Sequence, residues 1–119
     1  MTAASLDLTV EKYATFKLAL QIKNGAGETA TPADITGHTP RMQIRASATE
    51  PEIYLELNTT NGRIVVTDAA TGLLAITLPA SETASIGWTS AVYDLLLIGP
   101  SETRRIIQGQ VLVHEGVTR

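Results

Sequence analysis

Residues 15–23 alternate between apolar and polar or small side chains: Phe16, Leu18, Leu20 and Ile22 fall on one face, and Thr15, Lys17, Ala19, Gln21 and Lys23 on the other. Successive side chains of a strand point to opposite faces, so extended backbone turns this pattern into one dry face and one wet face. Wound as a helix, the same four apolar residues would be smeared around the axis. The alternation returns at residues 41–45, and residues 53–57, 63–67, 73–78, 91–98 and 103–113 read as further strands. No amphipathic stretch of roughly 10–15 residues separates these segments, which disfavours alternating strand–helix folds. Residues 79–84 suit a single helical turn, because Pro79 fits a first helical position and the residues after it are permissive. The pattern predicts an all-β chain.

The breaks between these segments carry turn chemistry. Residues 24–27 (Asn-Gly-Ala-Gly), 58–62, 68–72 and 99–101 are rich in the Gly, Asn and Asp that tolerate tight turns. Residues 28–39 contain Gly and Pro breaks and several Thr, and residues 46–52 are small and polar up to Pro51; both read as loops. The expected inward set is Phe16, Leu18, Leu20, Ile22, Met42, Ile44, Leu55, Leu57, Ile64, Val66, Leu74, Ile76, Leu78, Tyr93, Leu95, Leu97, Ile107, Val111 and Val113. At 119 residues, 44% hydrophobic and 18% charged, the chain has the size and apolar content to bury such a core without staples. No repeat, linker or low-complexity segment interrupts it, so residues 1–119 are expected to form one domain.

Charge and residue usage narrow the function classes. The formal net charge is −3, and the densest basic spot is the pair Arg104–Arg105. Nucleic-acid binding needs clustered Lys and Arg to neutralise phosphates, so no nucleic-acid partner is expected. The absence of cysteine removes disulfides, thiolate metal sites and a Cys nucleophile. Asp7, Glu11 and Lys12 interrupt the N-terminal apolar residues, so neither a signal peptide nor a membrane-spanning segment is expected.

Residues with chemical potential are few. His38 and His114 lack neighbours at metal-ligand spacing and read as solvated or hydrogen-bonded bystanders. Asp94 sits between Tyr93 and Leu95, on the face opposite the core, and reads as an outward polar residue rather than a glycosidase acid. Asp68 and the residues after it lack the alternating oxygens of a calcium loop, and Gly25 and Gly27 lack the strand–helix setting of a phosphate cradle. There is no Gly-x-Ser-x-Gly elbow of a hydrolase nucleophile. Trp88 reads as a plug at one end of the fold beside Gly87, or else as an anchor for a sugar or partner. An aromatic content of 4% argues against carbohydrate platforms and base stacking. Arg104 and Arg105 point to opposite faces, and one of them is placed to pair with Asp94 or Glu102. No catalytic, cofactor-binding or metal-binding residue is assigned, and no cofactor is expected.

Several stretches carry a family likeness: residues 8–18, Asp34 to Gly37 (Asp-Ile-Thr-Gly) followed by residues 41–45, residues 71–78, the strand holding Tyr93 and Asp94, and residues 104–113 with Gly109, Gln110 and Val111. In this order the chain resembles small phage or prophage tail-associated virion proteins, and is similar to the immunoglobulin-like N-terminal domains of baseplate upper proteins. The resemblance implies an immunoglobulin-like antiparallel β-sandwich of about eight strands. It implies a structural protein of the virion, assembled in the host cytoplasm in multiple symmetric copies. Its partners would be other virion structural proteins, with fibres or receptor-binding proteins anchored to a tail or baseplate, and with neither nucleic acid nor membrane involved. Because the chain stops at Arg119, a downstream coiled coil or receptor-binding module is not expected. Two alternatives stay open: a capsid or neck decoration protein, and a free-standing glycan-binding module with Trp88, Tyr54 and Tyr93 as contacts.

Overall fold

Alternation becomes pairing in the computed structural model, which describes residues 4–24 and 31–118. The strands are β1 (Ala4–Ser5), β2 (Leu8–Glu11), β3 (Phe16–Gln21), β4 (Lys23–Asn24), β5 (Thr31–Pro32), β6 (Thr39–Arg45), β7 (Leu55–Asn58), β8 (Ile64–Asp68), β9 (Leu73–Leu78), β10 (Ser90–Ile98) and β11 (Thr103–His114). A single helical turn, α1 (Ala80–Ala84), follows Pro79, and a 3-10 turn at Ala69–Thr71 joins β8 to β9. Eight of these strands have four residues or more; seven fall on the segments read from the pattern, and β2 is the eighth.

One sheet runs β1–β11–β10–β6–β7, with β2 also on β11; the other runs β3–β9–β8; β4 and β5 form a small hairpin. The turn expected at residues 24–27 lies, apart from Asn24, outside the described residues. The two main sheets are antiparallel except at one edge, where β1 and β2 pair parallel with β11. Both keep one register, Ala4 opposite Ile107 and Leu8 opposite Val111, so they are one strand interrupted at Leu6 and Asp7. At the interruption the Asp7 carboxylate accepts the Gln110 backbone N–H at 3.0 Å, replacing a main-chain acceptor. The Leu6 carbonyl accepts the Tyr93 hydroxyl at 2.5 Å. Gly109 lies opposite Tyr93, and a Cβ there would meet the Leu6 carbonyl oxygen at 2.3 Å. Glycine is what lets the first strand cross so closely.

The core lies between the sheets. Leu74, Ile76 and Leu78 of β9 face Met42, Ile44, Leu57, Leu95, Leu97 and Val111, all essentially without solvent contact. Of the expected inward set, Phe16, Leu18, Leu20, Leu55 and Val66 are half-buried rather than buried. All five sit on β3, β7 or β8, each of which pairs on one side only among the described residues. Edge position alone does not set coverage, because Leu57 on β7 and Ile64 on β8 are fully buried.

The segment expected to be a loop at residues 28–39 is corrected in its described part: it contains β5 and buries Ala33 and Ile35. Their N–H groups donate to the Ile22 and Ala69 carbonyls at 2.9 and 2.8 Å, which ties the stretch to the core edge without a repeating ladder. Gly72, at φ 76°, is packed beneath it, where a Cβ would lie 2.6 Å from the Ile22 carbonyl oxygen. Thr83 of α1 is fully buried, and its hydroxyl lies 2.8 Å from the Ala14 carbonyl and 3.1 Å from that of Ala80. A polar group so placed is tolerated because it is hydrogen-bonded.

Candidate interaction surfaces

The two outer faces are built differently. On the larger sheet, Glu56, Gln43, Asp94 and Gln108 stand opposite one another across β7, β6, β10 and β11. Glu56 is the hub. It accepts Arg41 Nε at 2.9 Å, Gln43 Nε2 at 2.7 Å and Asn58 Nδ2 at 3.2 Å. Partial burial pushes its carboxyl pKa up, but these hydrogen bonds and the Arg41 charge outweigh burial and hold it below the ordinary value. Gln43 also accepts Arg45, whose guanidinium donates to the Glu50 and Pro51 carbonyls and holds the β6–β7 loop over the sheet. Asp94 points outward as expected, and Arg105 donates to it at 2.9 Å. Arg104 turns to the other side, 3.9 Å from Glu102. Between this face and the β6–β7 loop lies a concavity of about 640 Å³ that reaches Asp7, Gln108 and Gln110.

The smaller sheet presents the opposite character. Ala19, Ala75 and Val65 align across β3, β9 and β8, flanked by Lys17 with Thr77 and by Gln21 with Leu73. Val65 is 51% exposed and Leu73 37%. Lys17 is the one charged side chain of these seven, exposed Asp68 stands opposite Leu73, and β3 and β8 each pair on one side only among the described residues.

A third feature is a cleft of about 350 Å³ between the start of β7 and the α1–β10 connection. Tyr54 and Trp88 line it, their rings stacked with centroids 5.3 Å apart and planes 13° from parallel. Arg63 and Glu82 complete the wall in a bidentate pair, Nη2–Oε1 at 2.5 Å and Nε–Oε2 at 3.0 Å.

The structure thus brings together two of the three aromatic residues considered as contacts. Tyr93 is corrected: its side chain is 4% exposed and its hydroxyl is spent on the Leu6 carbonyl. Burial, with a smaller push from the Asp7 charge, raises its pKa to about 12. Trp88 is half-buried against the core, so it plugs the fold and lines the cleft at once. Arg63 and Glu82 were not singled out from sequence, being 19 positions apart with no motif between them. The histidines stay apart. His38 Nδ1 is 3.2 Å from the Thr36 carbonyl, and its ring packs over Gly99. His114 Nδ1 is 3.1 Å from Glu11, a partner its own sequence neighbours did not reveal. Among the described residues, no three His, Asp or Glu side chains gather as a metal-ligand group, and no helix is long and apolar enough to cross a membrane.

A two-sheet β-sandwich with a cross-linked outer face, a bare outer face and one aromatic cleft is the class of protein these features define. The chain is similar in structure to the N-terminal domain of phage TP901-1 ORF48, with a TM-score of 0.52 and 14% sequence identity over 97% of this chain and 100% of that one. At that identity the likeness is one of fold. No protein family matches the sequence, and no curated protein matches it at a significant level.

Proposed function

We propose that this chain is a non-enzymatic structural component of a tailed phage particle, docking onto other virion proteins as a baseplate or tail adaptor for fibres or receptor-binding proteins. The observation that carries the reading is the fold likeness to a domain of a phage protein, over 97% of this chain and 100% of that one. The virion-protein resemblance of the strand order agrees with it, and an immunoglobulin-like strand arrangement belongs to the same reading. Phage particles reuse small domains in symmetric copies, and a sandwich serves such assemblies by its faces and edges. The bare outer face of the smaller sheet, with the edges of β3 and β8, is the docking surface in this proposal. It is low in charge, and its backbone edges accept an added strand. Mass spectrometry of purified particles, together with labelled-antibody microscopy, tests it. The protein is expected in mature particles in more than one copy, at the tail or baseplate; absence from mature particles would end the proposal.

A further inference from the structure

We infer that the Tyr54–Trp88 cleft is a binding site for one ring of a neutral saccharide, a function separate from the structural role and independent of it. Three features point to this ligand class. The cleft, at about 350 Å³, falls at the small end of ligand pockets and admits about one sugar ring. Its wall includes the stacked Tyr54–Trp88 pair, each ring half-buried, and the C–H face of a pyranose would pack against the aromatic surface left outside the stack. Opposite this, Arg63 uses three of its five N–H donors, on both Glu82 oxygens and on the Glu56 carbonyl, which leaves two free. Each Glu82 oxygen keeps a lone pair beyond the one Arg63 occupies. Adjacent donors and acceptors of this kind match vicinal hydroxyls, which both donate and accept. The charge balance selects further: guanidinium and carboxylate cancel within the wall, so the site favours a neutral polyol over a phosphate, an acidic sugar or an ammonium group. Gly87, also on the wall, adds no side chain, and a Cβ there would meet nothing within 4 Å.

Trp88 is the sole tryptophan of the chain, so its emission reports on this cleft directly. Titration of the whole protein with neutral hexoses and N-acetylhexosamines, with glucuronate and inorganic phosphate as charged counterparts, is the test. A saturable change with one or more neutral sugars at millimolar concentration is expected, with little response to the charged probes. Tyr54→Ala and Glu82→Gln, each checked for a native circular dichroism spectrum, should weaken binding at least about tenfold. Gln108→Ala, on β11 and outside the cleft, should leave it unchanged. Repeating the titration with oligosaccharides separates a free-sugar site, where affinity stays level, from a site on a glycan chain, where it rises. Amide NMR on the parent covers a silent fluorophore: no saturable shift near residues 82–88 with any neutral sugar would overturn the inference. A preference for the charged probes, or binding indifferent to Tyr54→Ala, would also overturn it.

Discussion

The outer face of the larger sheet satisfies itself, whereas that of the smaller sheet does not. Across β7, β6 and β10, outward polar groups pair with the next strand, Glu56 with Arg41 and Gln43 and Asp94 with Arg105, and Asn58 donates to Glu56 along β7. Anything docking there must break or bridge those contacts. Across β3, β9 and β8 the outward row Ala19–Ala75–Val65 has nothing to break, and covering it removes apolar surface from water at no cost in hydrogen bonds. Two faces built on the same alternation therefore serve different ends, one holding the sheet together and the other left for a neighbour. The contrast predicts that substitutions on the laced face register in stability and those on the bare face in association.

The largest effect comes from neither face. Leu95 is fully buried on β10, in the layer both sheets share, and Leu95→Asp would put an unpaired carboxylate there. Loss of the cooperative melt by circular dichroism is expected; an unchanged melt would mean the two faces do not share a core. Next is Glu56→Ala. Removing the hub leaves Arg41, Gln43 and Asn58 without their shared acceptor, and a loss of about 1–2 kcal/mol is expected in urea denaturation. A loss as small as that of Val65→Ala would remove the distinction between the faces.

Most of this architecture was legible in the sequence wherever pattern and pairing coincide. The read strands β6, β9 and β10 are buried in strict alternation along their length. Legibility fails where the physics is not local. Leu8 and Val10 belong to a strand whose partner lies about a hundred residues away and whose ladder breaks at Leu6 and Asp7. Ala33 and Ile35 are held by single backbone hydrogen bonds to separate elements, which leave no period to read. The cleft is the plainest case. Tyr54 and Trp88, far apart in the chain, meet because the start of β7 and the α1–β10 connection pack side by side. Composition counts residues and cannot see which of them become neighbours.

The latch at the edge of β11 gives a smaller and pH-dependent effect. The Tyr93 hydroxyl donates to the Leu6 carbonyl, and its folded pKa of about 12 stands above the unfolded value of about 10. The fold favours the neutral phenol, so this contribution is complete below about pH 10 and is lost as the pH rises toward about 12. Tyr93→Phe should cost about 1 kcal/mol near neutral pH, and the gap between parent and variant should close across that alkaline window. Urea midpoints measured for both proteins from about pH 9 to about pH 12 check the sign. A gap that widened with pH would show that the latch does not hold the proton.

The smallest stability effect belongs to the bare face, and it bears most directly on the contrast. Val65→Lys places a charge at the centre of the Ala19–Ala75–Val65 row, on a side chain already half exposed. Stability is expected to stay within about 0.5 kcal/mol of the parent, since nothing is buried or unpaired by the change. Association with particle proteins is expected to fall sharply, because desolvating an ammonium group against an apolar partner is costly. Asp94→Ala on the laced face should do the reverse, costing a few tenths of a kcal/mol through the loss of Arg105 and leaving association intact. Co-purification of each variant with particles, set beside its urea midpoint, reads both axes at once. If Val65→Lys co-purified like the parent and Asp94→Ala did not, docking would belong to the laced face, and its hydrogen-bond network would be the binding surface rather than the sheet's own reinforcement.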